Sequence, residues 1–177
     1  MGIPTLISTA TETDVASIDI TSGIDSTYDE YMFVFTDLNP ATDSTDFQFQ
    51  VNVDGQSGYN ETITSTHFRT THDEADSATT LAYQTGHDQA QGTSYQNIIN
   101  AIGNGSDESG AGILHLFNPS STTYVKHFYC TGQMTFQSYS AQTFAAGYIN
   151  VTGAVDEISF KMASGNFDGV IQMYGIS

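Results

Sequence analysis

Phe47-Gln48-Phe49-Gln50-Val51-Asn52-Val53 alternates without a break. In an extended chain Phe47, Phe49, Val51 and Val53 fall on one side, and Gln48, Gln50 and Asn52 on the other. Period two with one apolar and one polar face is the mark of a half-buried antiparallel strand. Asp54-Gly55 follows, a pair suited to a tight turn.

Outward from this strand the same pattern recurs. Tyr31-Met-Phe-Val-Phe-Thr36 is apolar on both faces and rich in β-formers, which places it in the middle of a sheet. Residues 15–20, 61–68, 113–117, 124–130, 143–151, 157–162 and 169–174 read as further strands. Turn-forming runs separate them: Thr21-Ser22-Gly23, Asp37-Leu38-Asn39-Pro40, Asn118-Pro119-Ser120-Ser121 and Ser164-Gly165-Asn166-Phe167-Asp168-Gly169. Tyr95, Ile98, Ile99 and Ile102 instead fit a helical stripe, with Thr93 or Ser94 to cap it. The β-rich neighbourhood and flanking glycines favour a strand, or at most one helical turn. Two hairpins are expected. One folds residues 112–118 onto 123–129, and one folds 158–162 onto 170–174. Short strands at this spacing predict an all-β protein. The expected fold is an antiparallel β-sandwich of jelly-roll type with little or no helix. Residues 13–177 form a single domain, and residues 1–12 an N-terminal arm or first strand. Residues 1–9 are expected to pair with a neighbouring subunit by strand addition.

The chain has 177 residues, 38% of them hydrophobic and 12% aromatic, enough for one core and unlike a disordered chain. Twenty Asp and Glu stand against three basic residues, Arg69, Lys126 and Lys161, for a net charge of −17. Displacing counterions from a phosphate backbone takes clustered cations, so nucleic acid is excluded as a partner, and an anionic membrane surface with it. No apolar run is long enough to span a bilayer. The low Lys content and Thr/Ser-rich polar surface suit a salty medium that screens self-repulsion. Cys130 is the one cysteine, which rules out an internal disulfide; its place in an alternating run reads as a buried small apolar side chain. The start Met1-Gly2-Ile3-Pro4 shows no secretory signal.

Four stretches carry a resemblance. They are Thr21-Ser-Gly-Ile-Asp-Ser-Thr-Tyr-Asp-Glu-Tyr-Met-Phe-Val-Phe35, Phe68-Arg-Thr-Thr-His-Asp-Glu-Ala-Asp76, Leu116-Phe-Asn-Pro-Ser-Ser-Thr-Thr-Tyr-Val-Lys-His-Phe128, and the run from Ile158 to Ile176. Together they resemble a group of proteins of marine tailed bacteriophages and viral metagenomes. That group is held to comprise virion structural components with a β-sandwich fold. The resemblance implies no catalytic residues.

Several clusters offer chemistry. His72-Asp73-Glu74-Ala75-Asp76, after Arg69, gathers oxygen ligands of the kind Ca²⁺ takes, but in no EF-hand spacing. A solvated acidic loop, with Arg69 paired to a carboxylate, is the simpler reading. Asp43-Ser-Thr-Asp46 and Asp107-Glu108 pose the same question. Among the histidines, His67 and His72 lie five apart, and His115 and His127 sit on opposite arms of the central hairpin. A cross-strand pair with a carboxylate suits Zn²⁺ or Ni²⁺. A packed or hydrogen-bonded histidine is the expected state, since His115 shares a face with Ile113 and Phe117. No G-x-S-x-G or phosphate-loop motif is present. No catalytic, cofactor-binding or metal residue is therefore assigned. Tyr28, Tyr31, Tyr59, Tyr83, Tyr95 and Tyr139, in or near predicted loops, are candidates to stack on sugar rings.

The expected function is that of a non-enzymatic structural protein on the surface of a virion. It would be a capsid decoration or cement protein, a homo-oligomer with a trimer as first guess, docked on the major capsid protein or other virion proteins. The alternative is a tail fibre or spike module that contacts host surface glycan.

Overall fold

In a computed structural model the described residues are 2–177, and among them there are thirteen strands and no helix. The strands are β1 (Thr5–Val15), β2 (Ile18–Ile20), β3 (Glu30–Pro40), β4 (Thr45–Val53), β5 (Ile63–Asp73), β6 (Thr79–Tyr83) and β7 (Ala90–Gly92). They continue as β8 (Gln96–Ile102), β9 (Gly110–Phe117), β10 (Lys126–Phe136), β11 (Tyr139–Ile149), β12 (Val155–Met162) and β13 (Phe167–Ile176). The large sheet runs β1-β13-β3-β9-β10-β11-β5-β6, with β7 also on β5. The small sheet runs β2-β12-β4-β8, and every pairing is antiparallel.

Setting β5–β7 and β10–β11 aside leaves eight strands ordered β1-β13-β3-β9 over β2-β12-β4-β8. The chain crosses between sheets at every step except from β4 to β8. This is the jelly roll, two interlocked Greek keys. The two insertions join the β9 edge of one sheet only, widening it to β6.

The core forms where the alternating faces meet. Phe33 and Phe35 of β3, Phe47 of β4, Phe160 of β12 and Phe167 of β13 are all buried, with neighbouring ring centroids 5.2–5.9 Å apart. Tilted and edge-on rings at this spacing gain quadrupole attraction beyond burial. Gly112 and Gly132 face each other in the β9–β10 register. A Cβ on Gly132 would come within 2.4 Å of Ile99, so this bare patch seats Ile99 of β8 against the large sheet.

Several of the expected elements differ in the structure. Residues 158–162 and 170–174 do not form a hairpin. β12 pairs with β4, and β13 with β1 and β3 in the opposite sheet. Both strands turn an apolar face inward, and facing each other across the core buries both. Residues 15–20 are not one strand; the chain changes sheets between Val15 and Ile18. Residues 5–15 are the first strand, one of the two alternatives expected there, and lie at the edge of the large sheet. They pair with β13 of the same chain, and the boundary drawn at residue 12 falls inside β1. The polar face of β4 is not wet, because Gln50 and Asn52 are buried. Gln50 Nε2 donates to the carbonyls of Glu61 (2.9 Å) and Ser94 (3.2 Å), and Asn52 Nδ2 to that of Gln56 (3.3 Å), so the covering chain takes up both amide N–H groups, while Asn52 Oδ1 has no partner among the described residues. Residues 61–68 extend to Asp73, where β6 returns on β5. The stripe at 95–102 is strand over Gln96–Ile102, the reading its β-rich neighbourhood favoured. Ala101 sits at φ +54°, beside register shifts against β4. The irregularity puts Ile99 and Ile102, three apart, on the same buried side, which imitates a helical period.

Candidate functional site

The unequal sheets create the site. β8, the edge of the small sheet, packs under β10 and β11. Beyond it the inner faces of β5 and β6 have no opposing strand. Half of this overhang is filled by the chain between β6 and β8. Ser65 Oγ donates to Gln96 Oε1 (2.6 Å) and accepts from Gln89 N (2.9 Å), while His87 stacks near His67 with centroids 5.5 Å apart. Asp46 anchors this filling. Its Oδ1 accepts from Ala101 N (2.9 Å) and its Oδ2 lies 3.2 Å from His87 Nε2.

The other half stays open. Arg69 and Thr71 of β5, Thr80 of β6, and Met134, Phe136 and Tyr139 around the β10–β11 turn line a cleft of about 370 Å³. Its floor is Ala101 and Ser44. The volume lies within the usual range for small-molecule sites. Arg69 is half-buried, and among the described residues no carboxylate lies within ion-pair reach of it. The expected Arg69–carboxylate pair is thus corrected. Asp73, the nearest candidate in sequence, turns its oxygens into its own loop.

That loop is a hairpin turn between β5 and β6. Asp73 Oδ1 accepts from Ser77 N (2.8 Å) and Ala78 N (2.9 Å), and its Oδ2 accepts from the Ser77 hydroxyl. The Ser77 hydroxyl and the Ala78 amide hold the Asp73 carboxyl below the usual carboxylate range. Glu74 and Asp76 are exposed, with His72 Nε2 3.3 Å from Asp76. The other acidic clusters behave alike: Asp43 accepts from Asn104 N, and Glu108 from Gly105 N and Gln137 N. These carboxylates organise loops.

The histidines do not converge. His115 Nδ1 meets Glu30 Oε1 and its ring stacks on Tyr129 at 4.5 Å, whereas His127 lies beside Tyr148. Among the described residues no three His, Cys, Asp or Glu side chains gather in metal-binding geometry. His67 is wholly buried and neither ring nitrogen has a partner among the described residues. Burial, reinforced by the neighbouring His87, lowers its pKa to about 4. Cys130 is buried, and burial pushes its thiol up.

The six tyrosines separate. Tyr31 is core, its hydroxyl 2.9 Å from Asp25 N, and Tyr28 packs edge-on against it. Tyr59 donates to Glu157 and Tyr95 to Ser159. Tyr83 and Tyr139 remain exposed, and only Tyr139 reaches the cleft. Sequence reasoning missed Phe136 in the cleft, and Tyr129 and Phe144 on the outer face. Their signal was parity: Phe136 continues the inward side of Phe128, Cys130 and Met134, whereas Tyr129 and Phe144 lie on the side of their strands opposite the core residues. On that outer face Phe68 stacks on Phe144 at 4.8 Å and Phe117 lies 5.7 Å from Tyr129. A shallow hollow of about 220 Å³ lies between these aromatic groups. No protein family, curated protein or solved structure matches the chain.

Proposed function

We propose that this protein is a non-enzymatic structural component displayed on the surface of a tailed-phage virion, a decoration protein that clamps neighbouring subunits. The observation that carries the reading is the outer face of the large sheet. Phe68, Tyr83 and Tyr129, 39%, 51% and 43% exposed, with His115, Phe117 and Phe144, form an aromatic band across five strands. A band of this breadth on a soluble domain marks an interaction surface. The occupant proposed is a second copy of the chain, with a trimer as the expected assembly, docked on the major capsid protein. The jelly roll is an architecture of capsid proteins, though lectins share it, and fold alone does not assign function. The net charge of −17 supports an outward position, away from packaged DNA.

The test is the copy number per purified virion, by quantitative mass spectrometry against the major capsid protein. A count near that of capsid subunits supports a shell component. A count typical of tail parts supports the second reading, a receptor-binding module for host glycan, which the exposed Tyr83 and Tyr139 favour. Absence from the particle overturns both.

A further inference from the structure

The chain has three cations, and two are engaged. Lys126 Nζ donates to three backbone carbonyls, and Lys161 Nζ sits 4.2 Å from the centroid of the Tyr95 ring. Arg69 is the third. A half-buried guanidinium with no carboxylate beside it is unusual in a chain with twenty acids. Its setting is specific as well. Phe136 and Tyr139 stand on one side of the cleft as apolar and amphipathic walls, with Met134 behind them. Thr71 and Thr80 stand on the other, their hydroxyl oxygens 2.6 Å apart across β5 and β6. One hydroxyl of such a pair donates to the other, so one proton and several lone pairs remain for a ligand.

We propose that this cleft binds a carboxylated sugar, a uronic or sialic acid residue. The planar guanidinium of Arg69 offers two parallel N–H donors in the geometry of a carboxylate. The C–H face of a pyranose packs on Tyr139 and Phe136, as apolar surface on apolar surface. Ring hydroxyls exchange hydrogen bonds with Thr71, Thr80 and Ser44. No single element supplies the site. It exists because the inserted strands overhang the small sheet, and the sugar takes the place of the missing opposing strand. The inference goes beyond the structural role and stands whether or not the protein is carried on a particle.

Arg69 is the only arginine, so its Nε–H gives one identifiable signal in a ¹H–¹⁵N spectrum. The experiment titrates the full chain with glucuronic acid, N-acetylneuraminic acid and glucose, and with acetate and inorganic phosphate as anion controls. The expected result is saturable movement of the Arg69 signal with at least one acidic sugar, and binding by glucose about tenfold weaker or worse. Arg69→Gln, shown folded by its thermal melt, loses the preference for the acid over glucose. Tyr139→Ala weakens the sugar and leaves acetate unchanged. Equal binding of glucose and both acids overturns the proposal. So does phosphate or acetate matching the acidic sugars, which marks a general anion site, and so does an Arg69 signal that moves with none of them.

Discussion

Lys126 is a fully buried ammonium, and three carbonyls hold it: Ser121 at 2.6 Å, Tyr124 at 3.0 Å and Val151 at 3.3 Å. Burial lowers its pKa, and the carbonyls are what keep a charge tolerable there. It ties the β9–β10 loop to the chain after β11. Lys126→Met keeps the stem and removes the donors, leaving those carbonyls without their shared partner. Urea unfolding should show a loss of about 3 kcal/mol, far beyond the cost of a surface lysine. His67 is the opposite case, a buried titratable group kept neutral. Its folded pKa of about 4 lies below the ordinary value of 6.5, so the unfolded chain takes up the proton first as pH falls. The contribution to stability is therefore whole above about pH 6.5 and is lost progressively towards pH 4, reaching about 3 kcal/mol. His67→Leu should flatten the stability profile across this window, with no loss at pH 8, because neither ring nitrogen has a partner to lose. Both residues carried a sequence signal. Lys126 shares parity with Phe128 and Cys130, and His67 with Ile63 and Ser65, so alternation pointed both inward. What satisfied or isolated them lay on distant segments.

At the scale of the element, β8 shows how a strand can carry a helix-like pattern. Asp46 Oδ1 accepts from the Ala101 amide, and Ala101 takes φ +54°. Left-handed backbone is costly for a residue with a Cβ and worst for a β-branched one. Ala101→Val should lower stability by about 1–2 kcal/mol in urea denaturation. Gly132 tests the opposite side of the same contact. A methyl group there would meet both Ile99 and Thr143, so Gly132→Ala should cost about 1–3 kcal/mol, and Ile99→Ala in the same chain should recover part of that loss. β12 and β13 give the complementary lesson. Their alternation was plain in sequence, but two strands that each bury one face can be neighbours in a sheet or partners across a core. Residues 163–166 between them suit either arrangement.

For the whole molecule the dominant number is the net charge of −17, spread over 8242 Å² of accessible surface. Like charges held on a compact surface repel, and salt shortens the range of that repulsion from about 30 Å at 0.01 M to about 3 Å at 1 M. Thermal stability should therefore rise as NaCl increases from low concentration to about 0.5 M, a range in which repulsion is progressively screened. A flat or falling melting temperature would mean that the acids are too well spaced, or too well capped by their own loops, for repulsion to matter.

The sequence by itself determined the all-β class, the strand faces, the central hairpin and the burial of Cys130, because period two and turn chemistry are local properties of a chain. It also determined the net charge of −17 and the poverty in cations. The tertiary structure alone decided the order of the strands within the expected jelly roll, that residues 5–15 pair along β13 of their own chain, and that β12 and β13 face each other across the core. It likewise decided where the cleft lies. Arg69 on β5 and the pair Phe136 and Tyr139 at the β10–β11 turn belong to distant stretches of chain, and what leaves them facing open space is the difference in width between two sheets, which is a property of long-range pairing and is written in no single strand.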